Sequence, residues 1–167
     1  MMSDSESIYL KLYKWSYGSK RVLSTLRAVD FACVILTAAA YIVTVVAVAI
    51  NAGSPLASIG FVLSTGVPFI AVSLVRRIID MPRPRRFFDL DFLPGKEGRS
   101  FPSRHVFSCF SIGTALCFVC VPAGVLVLAM GALIAFCRVA IGNHFLRDVI
   151  AGALIGIGCS VIGMLIL

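Results

Sequence analysis

The sequence predicts an all-α fold: a polytopic membrane helix bundle. Hydrophobic residues make up 59% of the 167 and charged residues 14%, whereas an ordinary soluble domain carries about 25% charge. Three stretches, 31–75, 105–137 and 149–167, contain no Asp, Glu, Lys or Arg. These runs are apolar throughout, without the alternation of barrel strands. About 20 apolar residues cross a bilayer core as a helix, so the first two runs hold two crossings each and the last holds one.

The sequence thus predicts about five transmembrane helices. The first run breaks at Asn51-Ala52-Gly53-Ser54-Pro55, a turn-forming cluster, giving helices over 31–50 and 56–75. The second breaks near Pro122-Ala123-Gly124, giving 105–121 and 123–138, and the third gives 147–167. Before them lies a basic head, 1–30, in which Ile8, Tyr9, Leu12 and Trp15 oppose Lys11, Lys14, Lys20 and Arg21. This pattern reads as a helix lying in the headgroup region. No cleavable signal peptide is read, because the first apolar run begins too late. The organisation is therefore an interfacial segment, 1–30, and one transmembrane domain, 31–167, whose polar segments 76–104 and 138–148 carry the functional residues. The six cysteines fall in or near predicted helices and read as small packing residues. Cys117 and Cys120 lack the second ligand pair of a zinc site. Gly152 and Gly156 have the spacing that lets transmembrane helices approach closely, read here as packing within the bundle rather than dimerisation.

Segments 76–104 and 138–148 are separated by two crossings, so they share one side of the membrane. Both histidines of the chain, His105 and His144, lie there among arginines. Arg76, Arg83 and Arg138 supply permanent charges that fork onto phosphate oxygens. They would neutralise charge as it builds on a transferring phosphoryl group. Ser103 opens a helix, adding a hydroxyl and free backbone N–H groups where anions are favoured. His144 and Asp148 are one helical turn apart. The aspartate there can accept the Nδ1 proton, fixing the tautomer and leaving Nε2 free to attack phosphorus. His105, from another helix, is placed to protonate the leaving oxygen. Taken singly, Asp148 and Ser103 could merely cap helices, and Arg77, Arg85 and Arg86 read as interfacial anchors. Phe87, Phe88 and Phe92 could dip into the interface beside them.

The chain reads Arg76-x6-Arg83-Pro84, then Pro102-Ser103-Arg104-His105, then Cys137-Arg138-x5-His144-x3-Asp148. In order and spacing these resemble the three motifs of the type 2 phosphatidic acid phosphatase (PAP2) superfamily, K-x6-R-P, P-S-G-H and S-R-x5-H-x3-D. The resemblance implies a metal-independent lipid phosphate phosphatase acting on phosphatidic acid, phosphatidylglycerol phosphate or a polyprenyl diphosphate. In that reading His144 forms a phosphohistidine, Asp148 orients it and His105 is the acid. Arg76, Arg83, Ser103, Arg138 and the backbone of Arg104 hold the phosphate. Arg76, Arg104 and Cys137 stand where the family has lysine, glycine and serine. The expected partners are the bilayer and a membrane lipid substrate, with no nucleic acid, metal or cofactor. Two other readings are a non-catalytic phospholipid-binding or transport protein and a vanadate-dependent oxidase. The His144–Asp148 pair argues against the first and the membrane body against the second. The protein is expected in the cell membrane. The family's membrane phosphatases mostly work on the outer face, but every charged residue lies on the site's side. With the four motif arginines removed, eleven basic residues remain there against none opposite, so the positive-inside rule places the site in the cytoplasm.

Overall fold

The computed structural model describes residues 4–88 and 98–166; Phe92 and the side chain of Arg85 lie outside them. Every regular element among the described residues is helical. Helix α1 (Asp4–Gly18) leads through an extended Ser19 into α2 (Lys20–Asn51). A 3₁₀ turn (Pro55–Ser58) then precedes α3 (Ile59–Ile79) and the short α4 (Pro84–Phe87). Helices α5 (Arg104–Cys117), α6 (Val121–Ala140) and α7 (Leu146–Ile166) complete the chain. Helices α2, α3, α6 and α7 are each long and apolar enough to cross a membrane.

The five expected crossings appear as five helices, with two instructive differences. Helix α2 starts at Lys20 rather than near 31, because charged residues end an apolar run but not a helix. Lys20, Arg21, Arg27 and Asp30 simply continue it toward the polar side. Helix α5 is only 14 residues long, roughly 21 Å at 1.5 Å per residue. The break after it falls at Phe118–Cys120, just ahead of Pro122. Pro122 sits in the first turn of α6, where a missing N–H costs nothing.

Helix α5 is the centre of the bundle. It packs against α6 and α7 over most of its length and against α3 and α2 on its other sides. Within it only Arg104 is exposed. The glycines of α7 explain the closest approach. A Cβ at Gly152 would lie 2.6 Å from the Ser103 carbonyl oxygen, and one at Gly156 would lie 2.6 Å from that of Phe107. The small-residue spacing of α7 therefore serves packing inside the bundle. All six cysteines are free; Cys33, Cys109 and Cys137 are buried in the apolar core.

Helix α1 packs on the bundle along one face and leaves part of its apolar side open. Ile8 and Trp15 point outward, 66% and 51% exposed, whereas Tyr13 and Ser16 are fully buried. Tyr9 accepts a hydrogen bond from the Leu146 N–H, and the Tyr17 hydroxyl donates to the Ile141 carbonyl. Tyr9 also meets Phe145 edge to face. The helix thus grips both ends of the loop between α6 and α7.

Candidate active site

That loop carries His144. It leaves α6 through Gly142 at φ +77, a conformation that favours glycine. The Arg138 carbonyl accepts from the N–H groups of Asn143 and His144, which ties the loop to the helix end. The His144 ring is 2% exposed. Burial pushes its pKa down from 6.5 to about 4, opposed by the bond to Asp148 and reinforced by Arg83. The imidazole is therefore neutral at physiological pH, as a nucleophile must be.

Asp148 stands in the first turn of α7, fully buried. Its Oδ2 accepts the Phe145 N–H at 3.0 Å and the hydroxyl of Ser100, and lies 3.6 Å from His144 Nδ1. Capping the helix and facing the histidine are one arrangement, not alternatives. Ser100 Oγ is also 3.5 Å from His144 Nδ1. It completes a buried trio that sequence reasoning missed. Ser100 sits in an irregular segment with no periodicity, and only its position five residues before His105 hinted at it.

Ser103 precedes α5 in an extended conformation. Its N–H donates to the Asp148 carbonyl at 2.9 Å. Its side chain does not cap the helix, and its buried Oγ has no partner. A buried hydroxyl left unmatched costs about 1–3 kcal/mol, and this one lies at the N-terminal end of α5, where backbone N–H groups favour anions.

The three expected phosphate arginines differ in use. Arg76, 5% exposed, donates to the carbonyls of Arg99, Ser100 and Pro102. It holds the strand of chain that presents Ser100 and Ser103. Arg83 donates from Nε to Gly98 O and from Nη1 to Asn143 O, linking that segment to the histidine loop. Burial, then Arg138, lower its pKa, yet a guanidinium stays charged. Arg138, at the end of α6, forms a 2.7 Å ion pair through Nε with Asp30 of α2. No motif pointed to Asp30.

Arg104 and His105 occupy the first turn of α5, and Arg104 lines two cavities. One, about 440 Å³, is lined by Arg76, Arg77, Arg83, Arg86, Arg99 and Arg104, with Asp80 its single acid among the described residues. The other, about 430 Å³, is apolar; it lies between α2, α3 and α5, with Val34, Tyr41, Ile42 and Phe69 in its walls and Arg104 and His105 at one end. The structure thus gathers His144, Asp148 and Ser103 into one buried cluster, and sets Arg104 in the lining of both cavities and His105 in that of the apolar one.

This fold and site define a class, the multi-pass membrane phosphatases. The sequence matches the PAP2 superfamily over residues 57–167, and the chain belongs to that superfamily. In fold it is similar to a transmembrane PAP2-type phosphatidylglycerolphosphate phosphatase from Bacillus subtilis, with a TM-score of 0.58 at 17% identity over 95% of this chain and 92% of that one. It is also similar to Aquifex aeolicus LpxE, with a TM-score of 0.55 at 24% identity over 98% and 87%. No curated protein sequence matches it.

Proposed function

We propose that the protein hydrolyses a lipid phosphate through a phosphohistidine. The observation that carries this reading is the junction at Arg104, with His105 beside it in the apolar cavity. A basic cavity and an apolar one of similar volume meet there, which suits an amphiphile with an anionic head and a hydrocarbon tail. In the first step His144 Nε2 attacks phosphorus, with Asp148 holding Nδ1–H. The P–O bond to the lipid breaks, and its electron pair leaves on an oxygen that His105 protonates. Ser103, the N–H groups opening α5 and the arginines hold the phosphoryl oxygens as charge builds on them. Water, deprotonated by His105, then cleaves the P–N bond and releases inorganic phosphate. The site faces the cytoplasmic side of the cell membrane. This assignment rests on the eleven basic residues outside the motifs, among them Lys11, Lys14, Lys20, Arg21 and Arg27.

Phosphate release from a lipid panel by purified protein tests the reading. His144→Ala and His105→Ala should each abolish turnover while the protein remains folded in detergent; near-normal activity in His144→Ala would sink the mechanism. For sidedness, a single cysteine at position 5, in a background with the native cysteines replaced, should resist an impermeant thiol reagent in intact cells. Labelling before lysis would place the site outside.

A further inference from the structure

The basic cavity holds more charge than one phosphate requires. A phosphomonoester carries about −1.5 to −2 near neutral pH. Among the described residues the cavity is lined by six arginines against one carboxylate, and Arg138 lies outside that count. The six differ in how they are engaged. Arg76 and Arg83 are committed to backbone carbonyls. Arg77, Arg86 and Arg104 are exposed and make no hydrogen bond or ion pair among the described residues. Arg99 has only a 4.0 Å pair with Asp80, both side chains more than half exposed, a geometry worth little.

We propose that Arg77, Arg86, Arg99 and Arg104 form a second anion subsite beside the transferred phosphoryl group, and that the preferred substrate is a lipid bearing a second phosphate. The inference rests on the phosphatase reading above and names the substrate class of that site. Headgroup anchoring accounts for exposed arginines at a rim, but not for Arg104, which stands between the basic and apolar cavities next to the assigned acid. That is where the leaving group departs. In a diphosphate, His144 Nε2 bonds to the terminal phosphorus and the bridging P–O bond breaks. The electron pair stays on the bridging oxygen of a lipid monophosphate. Such a leaving group needs a fixed cation more than a proton, and Arg104 supplies it. Water then releases the terminal phosphate from His144. A second phosphate spaced by a glycerol unit would reach the same arginines from the side of Arg77 and Arg86.

Two substrate pairs matched in their tails test this with the purified full chain: polyprenyl diphosphate against polyprenyl monophosphate, and phosphatidylglycerol phosphate against phosphatidic acid. A charge-assisted contact contributes about 1.5–3 kcal/mol. In at least one pair, kcat/KM should therefore favour the lipid with the extra phosphate by about tenfold or more. The pair that shows it tells whether the second phosphate is contiguous or spaced. Arg104→Gly, which restores the family's own residue, and the double change Arg77→Gln with Arg99→Gln should each erase most of that preference. Equal turnover within both pairs, or a preference that survives in both variants, would overturn the subsite. Absence of turnover on all four lipids would instead overturn the phosphatase reading itself.

Discussion

Substituting Gly152 by alanine tests whether the contact between α7 and α5 sets the geometry of the site. The new Cβ would stand 2.6 Å from the Ser103 carbonyl oxygen and 3.3 Å from the Phe107 nitrogen. Ordinary contact begins near 3.4 Å, so the two backbones must part by about 0.8 Å. Ser103 heads α5 and is bonded through its N–H to the Asp148 carbonyl at 2.9 Å. The displacement therefore falls between the histidine–aspartate pair and the groups that would hold the phosphate. Overpacking of this kind costs about 1–3 kcal/mol of stability, and a misplacement of about 1 Å costs catalysis up to about 100-fold. Gly156 provides the control. Its Cβ would come equally close, 2.6 Å, to a carbonyl one turn deeper, that of Phe107. Gly158→Ala meets nothing within 4 Å. With thermal melting and lipid phosphate release measured on detergent-purified protein, Gly152→Ala and Gly156→Ala should lose similar stability. Only Gly152→Ala should lose about 10- to 100-fold in kcat/KM, and Gly158→Ala should match the parent. A Gly152→Ala protein with parental kcat/KM would refute the reasoning.

Three further outcomes follow from the site. The fold holds His144 neutral with a pKa of about 4, against about 6.5 for a free histidine. The unfolded chain therefore takes up this proton first, and stability should fall as pH drops from about 6.5 to about 4. The acid limb of kcat/KM, corrected for substrate ionisation, should lie near the lower value; a limb at the ordinary histidine pKa would contradict the buried, neutral nucleophile. Activity should survive EDTA and be inhibited by vanadate, because Asp148 is engaged by Ser100, Phe145 and His144 and Asp30 by Arg138; loss in EDTA restored by Mg²⁺ would count against this. Asp30→Asn, which keeps the shape but removes the charge facing Arg138, should lower kcat/KM by about tenfold, the scale of a charge-assisted bond, with the melting temperature little changed. An unaltered rate would remove Asp30 from the site.

Much of this architecture was legible because two different signals agree. Charge-free runs marked the crossings, and parity of crossings put 76–104 and 138–148 on one face before any contact was known. The pairing of His144 with Asp148 could be read from their spacing of four, although His144 lies in the loop before α7 and meets Asp148 across the helix start rather than along a helical turn. Other features were hidden for physical reasons. Ser100 acts from an irregular segment, where spacing carries no information. Asp30 meets Arg138 across 108 positions, through packing of α2 on α6 that no local pattern encodes. Arg76, expected to hold phosphate, lines the basic cavity and also donates to the carbonyls of Arg99, Ser100 and Pro102, a second use that only the fold of that segment reveals. Which face of α1 packs on the bundle was not legible, because Tyr9, Tyr13 and Tyr17 are amphipathic. Each buries a ring and needs a polar partner for its hydroxyl, so hydropathy alone does not say which way it points.

The shortness of α5 has a consequence for how the protein meets its host membrane. A bilayer core is about 30 Å thick, and matching that thickness falls to the helices whose flanks touch lipid. In α5 every residue but Arg104 is buried or half-buried, so its length is set mainly by packing on its neighbours, and its flank toward the cavity shared with α2 and α3 is the one open to a hydrocarbon chain. The apolar turn at Phe118–Cys120 has its N–H groups bonded to the carbonyls of Ala115 and Leu116 and can end below the far surface without leaving a donor stranded in hydrocarbon. The depth of Ser103, Arg104 and His105 is then fixed by the seats of α5 on α6 and α7. Thicker or thinner bilayers would tilt the outer helices while the residues at the head of α5 keep their distances to Asp148.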